Sequence, residues 1–394
     1  MIEMTSENGR IFDVAYGTDE DMFTVSVIVP VFGAEKTLRQ ALNSLLDQEM
    51  EDLEIVIVND ASPDNCADII EGYSILHSNI TVVTHRENAG YGASMNDGIQ
   101  VARGDWIAIL EPDDYILPNM YRSMLNEAAK YDDLDRIDVI KTPYIREVRK
   151  EGTERGDAPE VLLQCSYRHR IKPRYQPFDM RDEKASHLLR HHPSIWSALY
   201  SKKFLNMRHI RFVEYPGAGW ADNEFFYETL LQALAIVYLD EPFYVYREET
   251  DKEFEKFTRN NPGMAMERWH SMQDIVERLN ITDENILRSH ISKGFTYLDG
   301  LVKTFGDDIS QTPMVKEMFE RMDEELVRKE KLVNPKLKKM YVDAMRLDWD
   351  LSGDRKIHRR ELVREAGYTM RNNGPAFTVR QVIRYATPGK SKRG

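Results

Sequence analysis

A chain of 394 residues is too long for one ordinary hydrophobic core, so two domains are expected. Its 42% hydrophobic and 10% aromatic content excludes a disordered polymer, and its net charge of −13 argues against nucleic acid as a partner. Polar Met1–Asp21 lacks the apolar centre of a signal peptide, no apolar run approaches the roughly 18 residues of a spanning helix, and Cys66 and Cys165 stand apart, so a soluble, cytoplasmic, disulfide-free protein is expected.

The first 22 residues read as an N-terminal extension without a clear element. From residue 23 one alternation repeats. Thr24–Val31 is a Val- and Ile-rich strand, and Leu38, Ala41, Leu42 and Leu45 share one face of a helix over Glu35–Gln48. Leu53–Val58 and Ile80–Thr84 are further strands, followed by helices over Asn65–Leu76 and Ala93–Ala102. Trp106–Leu110 is the fourth strand and Asn119–Tyr131 the fourth helix. Short strands that are apolar throughout, alternating with helices, predict an α/β fold with a Rossmann-like, mostly parallel sheet covered by helices on both faces. Ligands of such sheets sit beyond the carboxyl ends of the strands.

After Asp138–Lys141, a possible strand, the pattern loosens. Arg146–Pro177 is charged and irregular and reads as long loops. Pro193–Phe212 reads as strand, short helix and strand, and Asn223–Ala233 as a helix. Short strands are expected over Ile236–Leu239 and Pro242–Tyr246. From residue 251 the pattern is helical, near 264–278, 283–304, 312–329, 334–347 and 357–372. Residues 23–250 and 251–394 are therefore the expected domains.

The strand ends carry the chemistry. Glu111-Pro112-Asp113-Asp114 follows the fourth strand. Crowded carboxylates repel one another unless a cation sits among them, and Mg²⁺ is held by one or two carboxylates plus substrate phosphates. The competing reading is a polar turn. Pro30 should mark a strand end or an edge strand, since proline removes a ladder hydrogen bond. Asp60 stands at the tip of the second strand, where its carboxylate could accept from a base N–H, while Asp64 suits a helix N-cap. Asn88-Ala89-Gly90-Tyr91-Gly92 precedes a helix whose N-terminus favours anions. It matches neither the dinucleotide fingerprint nor a Walker loop. Asp222, before a helix, reads as an N-cap by spacing and as a general base by chemistry. His191-His192 reads as loop rather than metal site, and an EF-hand at Asp348 fails because its twelfth position is Arg359.

In this order, VSVIVPVFGAEKTLRQALNSLLDQ, LEIVIVNDASPDN, NAGYGASMNDGI, GDWIAILEPDDYILPNMY, SIWSALYSKKFL and ADNEFF resemble the inverting family 2 glycosyltransferases, which have the GT-A fold. The resemblance covers roughly residues 24–247 and leaves the helical part outside. It implies a nucleotide-sugar donor, with UDP the expected nucleotide, and Mg²⁺ or Mn²⁺ as cofactor. Pro30, Val31 and Asp60 would contact base and ribose, and Asn88, Gly90, Asn96 and Glu111 would complete the donor site. Asp113, with Asp114, would hold the metal, and Asp222 would deprotonate the acceptor. The family often has aspartate at position 111 and arginine near Met95. The Gln-x-x-Arg-Trp signature of processive members is absent, so one sugar is added per encounter. The acceptor would be a glycan or lipid-linked hydroxyl in cell-envelope polysaccharide or glycolipid synthesis.

Two other classes compete: an inactive nucleotide-sugar-binding protein, and a sugar nucleotidyltransferase, for which the first turn offers only Gly33 and Lys36. The last residues carry Arg380, Arg384, Lys390, Lys392 and Arg393 and no acidic residue after Thr378. They read as a solvated terminus, or as a peripheral contact with the inner membrane face.

Overall fold

The structure, a computed structural model, describes residues 1–17, 22–131, 136–148, 161–217, 219–248 and 251–386. The chain begins with β1 (Ile2–Thr5), β2 (Ile11–Ala15), β3 (Val25–Val31), α1 (Leu38–Leu46), β4 (Leu53–Asn59) and α2 (Cys66–Leu76). It continues with β5 (Ile80–His85), α3 (Tyr91–Val101), β6 (Trp106–Ile109), β7 (Tyr115–Ile116) and α4 (Met120–Ala128). Next come β8 (Val139–Lys141), β9 (Tyr144–Val148), β10 (Val161–Gln164), β11 (Pro177–Phe178), β12 (Ala198–Ser201) and α5 (Lys202–Met207). Then follow α6 (Asp222–Gln232), β13 (Ile236–Tyr238), β14 (Tyr244–Glu248), α7 (Asp251–Asn260), α8 (Met264–Arg278) and α9 (Glu284–Phe305). The last helices are α10 (Pro313–Glu320), α11 (Glu324–Lys329), α12 (Pro335–Ala344) and α13 (Ser352–Ala386).

The main sheet has the order β1-β2-β5-β4-β3-β6-β12-β8-β13-β11. Its centre, β5-β4-β3-β6, is parallel. Every residue of β3 and β4 is buried. Since strand side chains alternate between faces, both faces of the sheet are covered there, as continuous apolar runs require. Antiparallel neighbours flank this centre, β2 beside β5 and β12 beside β6. The chain leaves β3 toward β4 on one side, while α3 returns it to β6 on the other. That reversal opens a crevice beyond the carboxyl ends of β3 and β6.

Pro30 lies in a central strand, not at an edge. Pairing of β3 with β6 stops at Ile28 opposite Ile109, and the Ile28 carbonyl accepts from Leu110 N. Val31 is bonded toward β4, so Pro30 faces the side where β6 has already ended, and its missing N–H leaves the ladder intact.

Five sequence expectations are revised. The N-terminal residues form the β1–β2 hairpin, which extends the sheet by pairing Phe12 with His85. The region read as loops over Arg146–Pro177 contains β9 and β10, which join β7 and β14 in a second, four-stranded sheet. No second strand forms near Ile210–Phe212. The helix expected near 312–329 is two, and that near 357–372 runs to Ala386 with a break at Gly374, whose φ of 80° is outside the helical region.

The helices after residue 251 share a buried interior with the sheet region. Trp269 of α8 stacks on His290 of α9 at 4.8 Å, and a Cβ on Gly294 would lie 2.7 Å from the indole nitrogen. Glycine is what lets these two helices approach. Glu330 receives Arg190 and Arg288, tying α9 to the 3-10 turn Ser186–Arg190. Among the described residues no helix is long and apolar enough to cross a membrane.

Candidate active site

A cavity of about 520 Å³ lies beyond the carboxyl ends of β3, β4, β5 and β6. Pro30 and Val31 form one wall, Asp60, Asn88 and Gly90 a second, and Glu111 and Asp113 a third. These seven residues come from four separate strand ends, converging because parallel strands present all their carboxyl ends on one side. Lys36, Tyr91 and Ser94 also line the cavity and were not anticipated.

Asp60 is buried and already engaged. Its Oδ1 accepts from Ala89 N and lies 2.7 Å from His85 Nδ1, while Oδ2 accepts from Gly90 N at 2.9 Å. The other ring nitrogen of His85 is 3.0 Å from Asp97 Oδ2, which also receives Arg10 Nε at 2.9 Å. Burial alone would raise Asp60 and lower His85. The hydrogen bonds outweigh it, holding the carboxylate below and the imidazole above their ordinary ranges. Carboxylates at both ring nitrogens suit an imidazolium, which donates from each. Asp60 therefore shapes the Asn88–Gly90 turn. Its carboxylate is not the open acceptor that the sequence suggested.

The two glycines of that turn serve a packing purpose. A Cβ on Gly90 would lie 2.7 Å from Tyr215 O, and one on Gly92 2.3 Å from Val213 O. Tyr91 N donates to Gly217 O. The start of α3 is thus the bed for the segment leading to Asp222.

Glu111 and Asp113 face the cavity together. Glu111 Oε1 accepts from Tyr91 Oη at 2.7 Å. Burial first, and then the charges of Asp113 and Asp222, push Glu111 up to about 8, with the Tyr91 bond opposing. Carboxylates crowded in this way suit a divalent cation. No group of three or more metal-type side chains is assembled among the described residues. Two carboxylates are nevertheless the usual protein share for Mg²⁺, whose remaining ligands are phosphates and water. The residues fit a cation that arrives with a diphosphate.

Asp114 does not join them. It is 1% exposed, its Oδ2 accepts from Tyr244 Oη at 2.8 Å and its Oδ1 from Arg247 N at 2.7 Å. The next residue on the turn faces the second sheet, so Asp114 is corrected from metal ligand to structural acid. Asn96 is corrected as well. Its amide binds Phe212 through both N–H and C=O and also Glu214, away from the donor cavity.

Asp222 is partly buried in the first turn of α6, and the N-cap position belongs to Ala221 without a side-chain bond. Spacing misplaced the cap by one residue. Burial raises Asp222 to about 6, with Lys293 acting in the opposite sense. It does not line the donor cavity, but its charge acts on Glu111 and Tyr91, which do. His191 is half-buried and His192 exposed, and loss of hydration around their rings drives both below their ordinary value. His85, Asp97, Arg10 and Lys293 were missed. His85 ends a strand beside named motifs and Asp97 lies inside one of them, NAGYGASMNDGI, but Arg10 and Lys293 lie on stretches that no motif marks.

Comparison with known proteins gives a consistent frame. Residues 26–197 match the model of Glycosyl transferase family 2. The chain is 29% identical over 225 residues to an uncharacterized glycosyltransferase, EpsJ, of Bacillus subtilis, covering 57% of this chain and 61% of EpsJ. It is 31% identical over 225 residues to the putative glycosyltransferase EpsH of the same organism, covering 57% and 60%. The chain thus spans about six-tenths of the length of these relatives. Among solved structures, S. aureus TarS residues 1–349 is similar at a TM-score of 0.61 with 18% identity, covering 86% of this chain and 91% of that one. TarS has also been solved in complex with UDP-GlcNAc, at a TM-score of 0.58 and 18% identity over the same shares.

Proposed function

We propose that the chain, whose residues 26–197 match the model of Glycosyl transferase family 2, is an inverting glycosyltransferase of that family with a GT-A fold. It moves one sugar from a nucleotide-diphosphate donor, a UDP-sugar, to a hydroxyl of an envelope glycan or lipid-linked acceptor. One observation carries this reading. Glu111 and Asp113 face a cavity of nucleotide-sugar size, and the charge of Asp222, which lies outside the cavity lining, acts on Glu111.

Each residue then has a task. Pro30 and Val31 wall the base, and Asp60 acts through the turn it holds. Asp113 and Glu111 would hold Mg²⁺ or Mn²⁺ brought by the donor, and the chemistry such an ion would supply is Lewis-acid stabilisation of the leaving diphosphate. Asp222, raised to about 6, is ionised at neutral pH and close enough to that pH to act as base. It takes the acceptor proton as the hydroxyl attacks the face opposite the diphosphate, which inverts the anomeric centre.

The broken end of α13 supports a membrane-side acceptor. Beyond Gly374, Val379, Val382 and Ile383 are each more than half exposed, spaced for one helical face, and Arg380 lies beside them. With Arg384, Lys390, Lys392 and Arg393 in the same acid-free stretch, this end suits an anionic lipid surface.

The test is a panel of UDP-, GDP- and dTDP-sugars scored for thermal stabilisation with Mn²⁺ and with chelator. Metal-dependent stabilisation by a UDP-sugar, followed by UDP release, is expected. Stabilisation without release under any acceptor or water would favour the binding module, and pyrophosphate-dependent chemistry the nucleotidyltransferase.

A further inference from the structure

Helix α9 lies outside the residues that carry the family match, yet it reaches the proposed base. His290, Lys293 and Tyr297 recur at helical spacing on one side of it, and all three are turned inward. Tyr297 Oη donates to Asn223 Oδ1 at 2.6 Å. The Asn223 amide in turn donates to Asp222 Oδ1 at 3.2 Å and to Trp220 O at 3.1 Å. Trp220 has a φ of 54°, a left-handed conformation that a bulky residue rarely adopts without such a restraint. Lys293, 4% exposed, donates to His191 O at 2.5 Å and lies 5.3 Å from the Tyr297 ring centroid.

We propose that α9 supplies Lys293 and Tyr297 as positioning residues for Asp222, the ammonium balancing its charge and the phenol fixing its direction through Asn223. The inference rests on the reading of Asp222 as base. A buried ammonium is costly unless a counter-charge is near. Lys293 stands against the ring of Tyr297, whose hydroxyl is one residue from Asp222 through Asn223. Asp222 is the carboxylate whose charge opposes the burial that lowers Lys293 to about 8. The neighbouring acid is not free for this role, because Glu224 faces Arg268 at 3.6 Å and accepts from Tyr215. The other ionisable groups acting on or acted on by Asp222 are Glu111 and Tyr91 on the donor side and Tyr297 on α9. His191, His192 and His290 are each lowered from their ordinary value, by desolvation first, with the charge of Lys293 acting in the same sense. The helical region is thereby part of the proton-accepting site.

The test uses full-length protein carrying ¹³C-labelled aspartate carboxyls, with the Asp222 signal assigned by its loss in Asp222→Asn. Lys293→Met is expected to raise the Asp222 titration midpoint by about one pH unit, since an opposite charge favours the ionised form. Lys293→Arg should restore it. Tyr297→Phe is expected to leave the midpoint in place but lower release of UDP from UDP-N-acetylglucosamine with Mn²⁺ about tenfold at unchanged donor affinity, the scale of a misaligned group. An unmoved midpoint in folded Lys293→Met, or normal turnover in Tyr297→Phe, overturns the respective assignment. If Lys293→Met does not fold, Lys293→Gln gives the same reading. Retained turnover in Asp222→Asn overturns the base reading itself, whereas lost turnover with an unmoved midpoint overturns this inference alone.

Discussion

Asp60 Oδ1 and His85 Nδ1 lie 2.7 Å apart at the carboxyl ends of adjacent parallel strands, with side chains 5% and 1% exposed. The pair joins the floor of the donor cavity to the N-terminal hairpin, since Asp97 on the far side of the ring receives Arg10 from beside β2.

His85→Gln should destabilise the protein by roughly 3 kcal/mol near pH 6, the scale for breaking a buried charge pair. The pH sense follows from the shifts. His85 is raised above 6.5, so its contribution is complete below that pH and is lost as pH rises through the folded value. Asp60 is lowered below 3.8, so its contribution is complete above that pH and is lost as pH falls through its folded value. Denaturant melts of both proteins across pH 4–10 check this. A gap that stays constant up to pH 10 would refute the imidazolium.

Asp222→Asn should lower turnover about 10²–10⁴-fold, as loss of a general base does. Donor affinity should survive, because the side chain stands outside the donor cavity. The acid limb of kcat/KM in the parent should fall near pH 6, the value to which burial raises this carboxyl. Steady-state rates with calorimetric donor titration separate the two effects.

Asp113→Ala and Asp114→Ala should part company. The first should abolish metal-dependent donor stabilisation at little cost to the fold. The second should lose about 2 kcal/mol, leaving Tyr244 Oη and Arg247 N without their acceptor, while the metal response persists. Melting curves with Mn²⁺ plus UDP-sugar against chelator distinguish them. Equal metal loss in both would restore Asp114 as a ligand.

Gly92→Ala should reduce turnover without touching a carboxylate. The new Cβ, 2.3 Å from Val213 O, must displace either α3 or the segment leading to Asp222. Such overpacking costs about 1–3 kcal/mol. A variant with normal melting and normal rate would show that this segment is free to shift.

Removing residues after Gly374 should weaken co-sedimentation with vesicles of phosphatidylglycerol and leave soluble-donor hydrolysis unchanged. Equal binding of both forms would exclude the basic end as the contact.

The central strands were legible because each is a short apolar run bounded by turn residues, a local pattern. The strand-end positions of Asp60, Glu111 and Asp113 followed from it. Asp114 was misread because being next to a site residue says nothing about direction at a turn, where consecutive side chains can face different sheets. Asn96 was misread because its side of α3 meets Phe212 and Glu214 and not the cavity. β9 and β10 were unreadable because their pairing, not their composition, makes them strands, as Val161 opposite Val148 illustrates.

By itself the sequence determined an α/β sheet whose parallel strands carry carboxylates at one end, and the order of motifs that marks the family. Tertiary structure alone decided which carboxylates share the cavity, that Asp60 is spent on His85 and the 88–90 turn, and that Tyr297 of α9 reaches Asn223, the residue after Asp222. The reason is range. Periodicity and turn chemistry act over a few residues, whereas Tyr297 lies about seventy residues beyond Asn223 and meets it only when α9 packs against the 3-10 turn and α8.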